Sequence, residues 1–249
     1  MSGHSKWANI QHRKGRQDEK RGKVFAKLSK RIIVAAREGG GDPDLNAKLR
    51  TVVEEAKSSE MPKDKIDYAI KRGTGEGDDV NYESAQYEGY GPGGVAMIIT
   101  VLTDNEKRSV ADVKSIIRKS GGSMGAPGSV TWMFAPKGEI AVPQAAVDEE
   151  TIFNLAVEAG AEEVVGEGDL WEIRTAPEDF VAVSDAVRAA GLQPERAEVT
   201  MIPSTTTELN EADAGKLFRM LDDLNDHDDV QQVYANFEVS DEIMEKLAS

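Results

Sequence analysis

The residues of this sequence best suited to chemistry are the cations near its start. Between Met1 and Arg37 there are eleven Lys and Arg residues and two acidic residues, a net charge of +9. Such a surface binds phosphate groups, because each phosphate that it neutralises releases a condensed counterion. We therefore predict a nucleic-acid contact in this segment. The candidate residues are Lys6, Trp7, His12, Arg13, Lys14, Arg16, Lys20, Arg21, Lys23, Lys27, Lys30 and Arg31.

The remainder of the chain has the opposite charge. Residues 1–75, here called the basic head, carry a net charge of +8, and residues 76–249, the acidic trunk, carry −23. Two other interpretations of the cations stay open: an ordinary solvated face, or docking of the head onto the chain's own trunk. If the head does bind nucleic acid, the trunk should repel a strand lying against it and so restrict contact to the head.

A helix should position most of these cations. Apolar residues recur with helical spacing between Asp18 and Glu38, which predicts one packing face. Six cations occupy the opposite arc: Lys20, Lys23, Lys27, Lys30, Arg31 and Arg37. We expect this arc to face something outside the protein, so charge reversal at Lys20, Lys23 and Lys27 should leave folding intact.

The residues before this helix are predicted to form an extended arm. Trp7 on this arm is equally suited to stacking on a base or to fixing the arm to the helices. His4 and His12 have no carboxylate cluster beside them, so we expect no metal site.

A glycine-rich segment could admit a nucleic-acid backbone. Gly89-x-Gly91-x-x-Gly94 has the letters of the dinucleotide fingerprint, but an apolar β run follows it where the fingerprint requires a helix. We interpret the segment as a turn between strands. Because Gly91, Gly93 and Gly94 lack side chains, their backbone is a possible approach loop for RNA or DNA.

The sequence gives little support for metal binding, disulfide formation or catalysis. The chain has no cysteine, which excludes disulfides and thiolate metal sites. An EF-hand loop begun at Asp223 places Asp228 where glycine is required and Tyr234 where glutamate is required, so Asp222–Asp229 is interpreted as a solvated acidic helix end. Paired carboxylates arise by composition among 45 acidic residues. We expect no enzyme activity, no cofactor and no metal.

The overall composition is that of a globular protein. Of its 249 residues, 39% are hydrophobic and 30% charged, and no apolar run approaches the roughly 20 residues that cross a bilayer. The N terminus lacks the apolar core of a secretory signal. We expect a cytoplasmic monomer that does not contact membranes.

The predicted fold class is α+β. The head (residues 1–75) should hold three helices: the cationic one, a second begun by Asp42 and Pro43 with Leu45 in its apolar stripe, and a third begun by Pro62 and ended by Gly73. Residues 74–81 are interpreted as a linker. Residues 138–203 read βαββαβ, a ferredoxin-like domain whose helices end at Gly160 and Gly191.

The ferredoxin-like domain is predicted to be an insertion. Strand candidates at 82–90, 95–102 and 129–134 precede it, with a helix capped by Asp104 or Asn105. A helix and a strand over about 233–239 follow it. Because the last two elements cannot bury their apolar faces alone, we expect residues 76–137 and 204–249 to form one discontinuous α+β domain. The two α+β domains should frame a cleft.

Several motifs resemble those of the YebC/PmpR family, which includes a mitochondrial translational activator of cytochrome c oxidase. The matching segments are Gly3–Ile10 (GHSKWANI), His12–Lys14, Asp18–Lys23, Met61–Asp64, Tyr87–Gly94, and Thr103–Asn105 with Arg108. The resemblance spans the whole chain. It implies a three-domain protein with a cleft and a helical N-terminal domain, described as a DNA-binding transcriptional regulator. For some relatives it implies a role in translation at the ribosome, in synthesis of proline-rich stretches. It supplies no catalytic residues.

The sequence thus predicts a non-enzymatic, nucleic-acid-binding regulator of gene expression, with DNA-binding transcriptional regulation placed first. A ribosome-associated translation factor that binds ribosomal RNA is the first alternative. A small-ligand sensor acting through the ferredoxin-like domain is the second. Charge alone does not separate DNA from RNA, because both present the same phosphates.

Overall fold

The computed structural model describes residues 18–75 and 81–248. These residues pack into two compact units. One contains the described residues up to Thr131 together with those from Thr206 onward, and the other is Trp132–Thr205. The predicted arm lies outside the described residues, as does most of the predicted linker.

Three helices form the described part of the head: α1 (Asp18–Gly39), α2 (Ala47–Ser58) and α3 (Lys63–Gly73). Their shared core includes Leu28, Ile32, Leu49 and Ile66, each at most 4% exposed. The predicted packing face of α1 is therefore confirmed. A wide apolar stripe of this kind is what lets a helix bury one side while the other stays polar.

The second helix begins later than the sequence predicts. Asn46, rather than Asp42, is its N-cap, and the side-chain oxygen of Asn46 accepts a hydrogen bond from the Leu49 backbone N–H at 3.1 Å. The Asn46 amide also donates to the Ala35 and Gly40 carbonyls, which ties this turn to the end of α1. Leu45 therefore precedes the helix and is 84% exposed instead of lying in its apolar stripe.

The first trunk elements are β1 (Glu83–Tyr90), β2 (Ala96–Thr103), α4 (Glu106–Lys119) and the short β3 (Ser123–Met124). β1 and β2 are antiparallel, with Tyr90 paired to Ala96 across the glycine turn. Asn105 caps α4 by accepting a hydrogen bond from the Arg108 backbone N–H. This selects Asn105 from the two predicted caps.

The strand predicted at 129–134 is wrong, because a buried carboxylate takes the backbone donors of this segment. Glu88, 7% exposed, accepts from the N–H groups of Gly128, Val130 and Thr131 at 2.6, 2.7 and 3.0 Å. These donors are therefore not available to a neighbouring strand. Burial alone would raise the pKa of Glu88, but the hydrogen bonds from the three backbone N–H groups and from the Thr131 side chain outweigh it and lower that pKa to about 2.

The second unit has the predicted ferredoxin-like order. It comprises β4 (Phe134–Pro143), α5 (Glu149–Glu158), β5 (Glu163–Glu167), β6 (Leu170–Thr175), α6 (Phe180–Ala189) and β7 (Arg196–Pro203). The strands lie in the order β5-β6-β4-β7 with antiparallel neighbours. Gly160 and Gly191 adopt positive φ just beyond the two helices, which confirms their predicted role.

After this unit the chain returns to the first one with β8 (Thr207–Glu208), α7 (Glu211–Asp226), β9 (Val230–Ala235), β10 (Phe237–Glu238) and α8 (Asp241–Ala248). β9 pairs with β2 and completes a sheet of order β3-β1-β2-β9. The predicted last strand is interrupted at Asn236, whose side-chain oxygen accepts from the Ala96 N–H at 2.7 Å. Across the described ranges, no helix is long and apolar enough to cross a membrane.

Candidate nucleic-acid interface

Half of the predicted contact residues fall beyond what the structure describes. Lys6, Trp7, His12, Arg13, Lys14 and Arg16 lie outside the described residues. Lys20 belongs to α1, but its side chain is not among the described ones. The remaining candidates on α1 can be placed, and they do not form one open surface.

The Lys30 side chain forms its contacts within the protein. Its ammonium lies 2.6 Å from Asp229 Oδ1 and donates a second hydrogen bond to the Asp228 carbonyl at 3.0 Å. The two side chains are 15% and 4% exposed. Lys30 also lies 5.7 Å from the centre of the Tyr82 ring. This cation therefore fastens α1 to the start of β9.

Asp229 is the centre of a polar cluster. Its second oxygen accepts from Ser109 Oγ and Arg108 Nη2, both at 2.7 Å, and from Thr103 Oγ1 at 3.1 Å. Burial alone would raise the pKa of Asp229, but the hydrogen bonds from Arg108, Lys30 and Ser109 hold it well below its usual range. The interpretation of this whole segment as solvated is therefore wrong at Asp229.

Lys23 and Lys27 meet the end of α7. The Lys27 ammonium donates to the Asn225 carbonyl at 2.6 Å, and Lys23 lies 3.1 Å from Asp226 Oδ2. Burial lowers the pKa of Lys27 to about 8, against the opposing effect of Asp226 and Asp228. Both lysines also line a cavity of about 620 Å³ between α1, α2, α7 and β9.

The outward arc of α1 is therefore largely satisfied by the chain itself. Arg21 pairs with Glu60, and Arg31 lies 2.6 Å from Glu55. For Lys23, Lys27 and Lys30 the structure shows the alternative left open above: docking of the head onto the trunk. Charge reversal at Lys27 is accordingly expected to disturb packing, because its ammonium is enclosed and hydrogen-bonded.

Helix α3 carries a cationic surface that is absent from the residues predicted to contact nucleic acid. Lys63, Lys65 and Lys71 are exposed, and Tyr68 is 63% exposed with the Arg72 guanidinium 5.9 Å from its ring centre. Lys65 lies 5.3 Å from the centre of the Phe25 ring. The spacing of Lys65, Tyr68, Lys71 and Arg72 was the available signal. It was masked by the near-zero charge of residues 38–75, which hold seven basic and eight acidic residues.

The glycine loop is mostly closed by the protein's own side chains. A Cβ on Gly91 would lie 2.8 Å from Met220 Cε, and one on Gly93 would lie 2.2 Å from Leu209 Cδ2. A Cβ on Gly94 would meet no atom within 4 Å, and Gly94 is exposed. The absence of side chains at Gly91 and Gly93 thus serves close packing, and Gly94 keeps the open approach.

Within residues 18–75 and 81–248, no three His, Cys, Asp or Glu side chains are grouped so as to hold a metal ion. The ring of His227 is hydrogen-bonded within the protein: its Nδ1 accepts a hydrogen bond from the Asp229 backbone N–H at 3.1 Å. Within the described head, the cations of α1 are thus held by the protein itself, whereas those of α3 form no ion pair.

Comparison with known proteins gives consistent matches. The family model described as "TACO1/YebC protein N-terminal domain" matches residues 5–76, and "TACO1/YebC second and third domain" matches residues 82–237. The fold is also similar to the crystal structure of a conserved hypothetical protein from Aquifex aeolicus. That similarity has a TM-score of 0.82 and 42% identity over 91% of this chain and 94% of the other.

Two bacterial relatives are similar over almost their full length. A protein of Syntrophotalea carbinolica is 54% identical over 99% of both chains. One of Desulforapulum autotrophicum is 52% identical over 99% of this chain and all of its own. Each is named a "Probable transcriptional regulatory protein". With two family models spanning both head and trunk, the resemblance seen in the motifs is confirmed, and the chain belongs to the TACO1/YebC family.

Proposed function

We propose that this protein is a non-enzymatic, nucleic-acid-binding regulator of gene expression, acting as a cytoplasmic monomer, with DNA as its target. The names of its relatives support a regulatory role in transcription. The observation that carries nucleic-acid binding is the contrast between two helices of the head. The described cations of α1 are engaged with the protein itself, whereas the three lysines of α3 are exposed around the exposed ring of Tyr68.

The cations of α3 are available for phosphates. Within the described part of the chain, Lys63, Lys65, Lys71 and Arg72 form no ion pair, although Asp64 and Asp67 share the helix. An unpaired lysine gives up only water and loosely held anions when it meets a phosphate. A cation that already holds a carboxylate must first lose that contact. The face of α3 is therefore a part of the described head where polyanion binding breaks no ion pair.

The exposed ring favours a second candidate, an RNA-binding role in translation. Tyr68 projects between cations, with Arg72 against its ring. Aromatic and guanidinium planes stack on unpaired bases, which are common in structured RNA and absent from an intact duplex. Binding to ribosomal RNA would use the same lysines for phosphates, so the two candidates differ in the role of Tyr68.

A binding titration tests the proposal. Fluorescence anisotropy is measured with labelled duplex DNA, single-stranded DNA and RNA of matched sequence, at several salt concentrations, with ribosome co-sedimentation alongside. We expect binding that weakens as salt rises. A protein that ignores all three oligonucleotides and ribosomes in dilute buffer contradicts the proposal.

The matched variants are two triple substitutions in the head. Lys63→Gln, Lys65→Gln and Lys71→Gln neutralise α3, and Lys48→Gln, Arg50→Gln and Lys57→Gln remove the same charge from α2. On α2, Lys48 is paired with Glu38, whereas Arg50 and Lys57 are exposed without an ion pair to any described residue, and the helix has no aromatic residue beside its cations. The α3 variant should therefore bind more weakly, with a salt dependence flatter by about 2–3 in log–log slope. The α2 variant should change less.

A further inference from the structure

Helix α4 is a basic element within the acidic trunk. Its fourteen residues include five basic and two acidic ones, although residues 76–249 as a whole have a net charge of −23. The charge of Arg108 is already compensated within the protein, because its guanidinium lies 2.8 Å from Asp104 and 2.7 Å from Asp229. Three of the others, Lys107, Lys114 and Arg118, are exposed and take no part in that cluster.

These three cations form a straight row. Their spacing of i, i+7 and i+11 places them within about 40° of one another around the helix, and the row is about 16 Å long at 1.5 Å per residue. Val113 and Ile117 lie about 80–120° around the helix from Lys107 and are fully buried, which fixes the rotation of α4 and leaves the row exposed. The exposed residues between the cations include Ala111 and Ser115, so no bulky side chain separates them.

The stability of the helix does not account for the row. Lys107 stands in the first turn of α4, where the helix dipole disfavours a positive charge. None of the three cations forms an ion pair with a described acid, whereas Arg108 beside Lys107 has two. Arg118, in the last turn, is favoured by the helix dipole, so Lys107 and Lys114 are the two cations of the row that the helix dipole does not explain.

We propose that Lys107, Lys114 and Arg118 form a second nucleic-acid contact, on the trunk, and bind the sugar–phosphate backbone. This inference rests on the proposed function and changes the expectation that contact is restricted to the head. A row of about 16 Å spans about five phosphates of one duplex strand, at 3.4 Å each along the axis. Since the trunk is acidic overall, the row selects the side of the trunk against which the strand lies.

The test compares two triple variants of the full chain. Lys107→Gln, Lys114→Gln and Arg118→Gln remove the row. Lys216→Gln, Arg219→Gln and Lys246→Gln remove the same charge from exposed positions on α7 and α8. Affinity for labelled duplex DNA is measured against salt. The row variant should lose about tenfold in affinity at moderate salt, with a slope flatter by about 2–3, and the control should keep the wild-type slope.

The outcomes separate this inference from the proposed function. If wild-type protein binds and the two triple variants have equal slopes, the trunk contact is wrong and the proposed function stands. If wild-type protein binds no nucleic acid, both fall. The single variant Lys107→Gln, expected to flatten the slope by about 1, gives the same decision should the triple variant fold poorly.

Discussion

Lys30 and Asp229 join the head to the trunk through a largely buried ion pair of 2.6 Å, across 199 residues of sequence. The cationic arc of α1 predicts a surface for an external polyanion, but here it meets the protein's own acidic segment at the start of β9. A charge in such a place is tolerated only when its partners are fixed, because an uncompensated buried charge is strongly unfavourable. The pair therefore contributes to how α1 docks, and Lys30 is withdrawn from the set of freely available cations.

Removal of Lys30 should destabilise the protein. In Lys30→Ala, Asp229 keeps Arg108, Ser109 and Thr103 but loses its contact on the α1 side. We expect a loss of about 2–3 kcal/mol in the free energy of unfolding, measured by urea denaturation. Lys48→Ala breaks an exposed pair with Glu38 and should cost less than about 1 kcal/mol. Equal losses in the two variants would show that the Lys30 pair has no special weight.

Glu88 should make stability depend on acid pH. Its pKa is about 2 in the folded protein, against about 4.3 for an unperturbed glutamate, so the folded state favours the carboxylate. Its contribution is complete above about pH 5 and is lost as the pH falls towards 2. Glu88→Gln should be less stable than wild type at pH 7, by about 1–3 kcal/mol.

The role of Glu88 is tested by the difference in unfolding free energy between wild type and Glu88→Gln. Because glutamine does not titrate, the gap in unfolding free energy should shrink as the pH is lowered from 5 to 3. Urea midpoints at several pH values measure it. A gap that stays constant over this range would mean that the three backbone N–H contacts do not favour the charged form.

Close packing of α3 on α1 should be sensitive to one methyl group. A Cβ on Gly73 would lie 2.5 Å from the Ile33 carbonyl oxygen and 2.6 Å from Ala36 Cβ. We expect Gly73→Ala to lower the thermal midpoint, at a cost of about 1–3 kcal/mol. Gly22→Ala is the control, since a Cβ there meets nothing within 4 Å. It should stabilise α1 by up to about 1 kcal/mol, and the two substitutions should have opposite signs.

The sequence predicts those parts of the fold in which local pattern and packing agree. The ferredoxin-like order follows from alternating strand and helix patterns, and Gly160 and Gly191 end its helices as expected. The head helices follow from apolar spacing, apart from the start of α2. There the side chain of Asn46 finds its partners at Ala35 and Gly40, across a turn that periodicity does not describe.

The errors arise where a single side chain takes over backbone donors from a distant segment. Glu88 binds the N–H groups that a strand at 129–134 would have used, and Asn236 binds the Ala96 N–H where β9 would have continued. A helical wheel shows that Lys30 is opposite the apolar face, but it contains no information about Asp229. Which residues a charged helix face contacts depends on the tertiary structure. The sequence could therefore place the candidate site on the head helices, but could not show which of their cations are free.

Tyr68 offers the sharpest prediction about the nucleic acid. Its ring is exposed, so Tyr68→Ala should change the free energy of unfolding by no more than about 0.5 kcal/mol. If the ring stacks on an unpaired base, affinity for single-stranded RNA or DNA should fall by about 1–3 kcal/mol, and duplex affinity much less. Anisotropy titrations at one salt concentration measure both.

Phe153 provides the matched control for Tyr68. It is 49% exposed on α5, near the acidic Glu149 and Glu150 in sequence, so its ring has no neighbouring cations on that helix turn. Phe153→Ala should leave single-strand affinity unchanged. Equal loss on duplex and single strand in Tyr68→Ala would show that the ring acts on the backbone, which favours duplex DNA as the target. No loss on either would remove Tyr68 from the interface and leave the α3 lysines to act through charge alone.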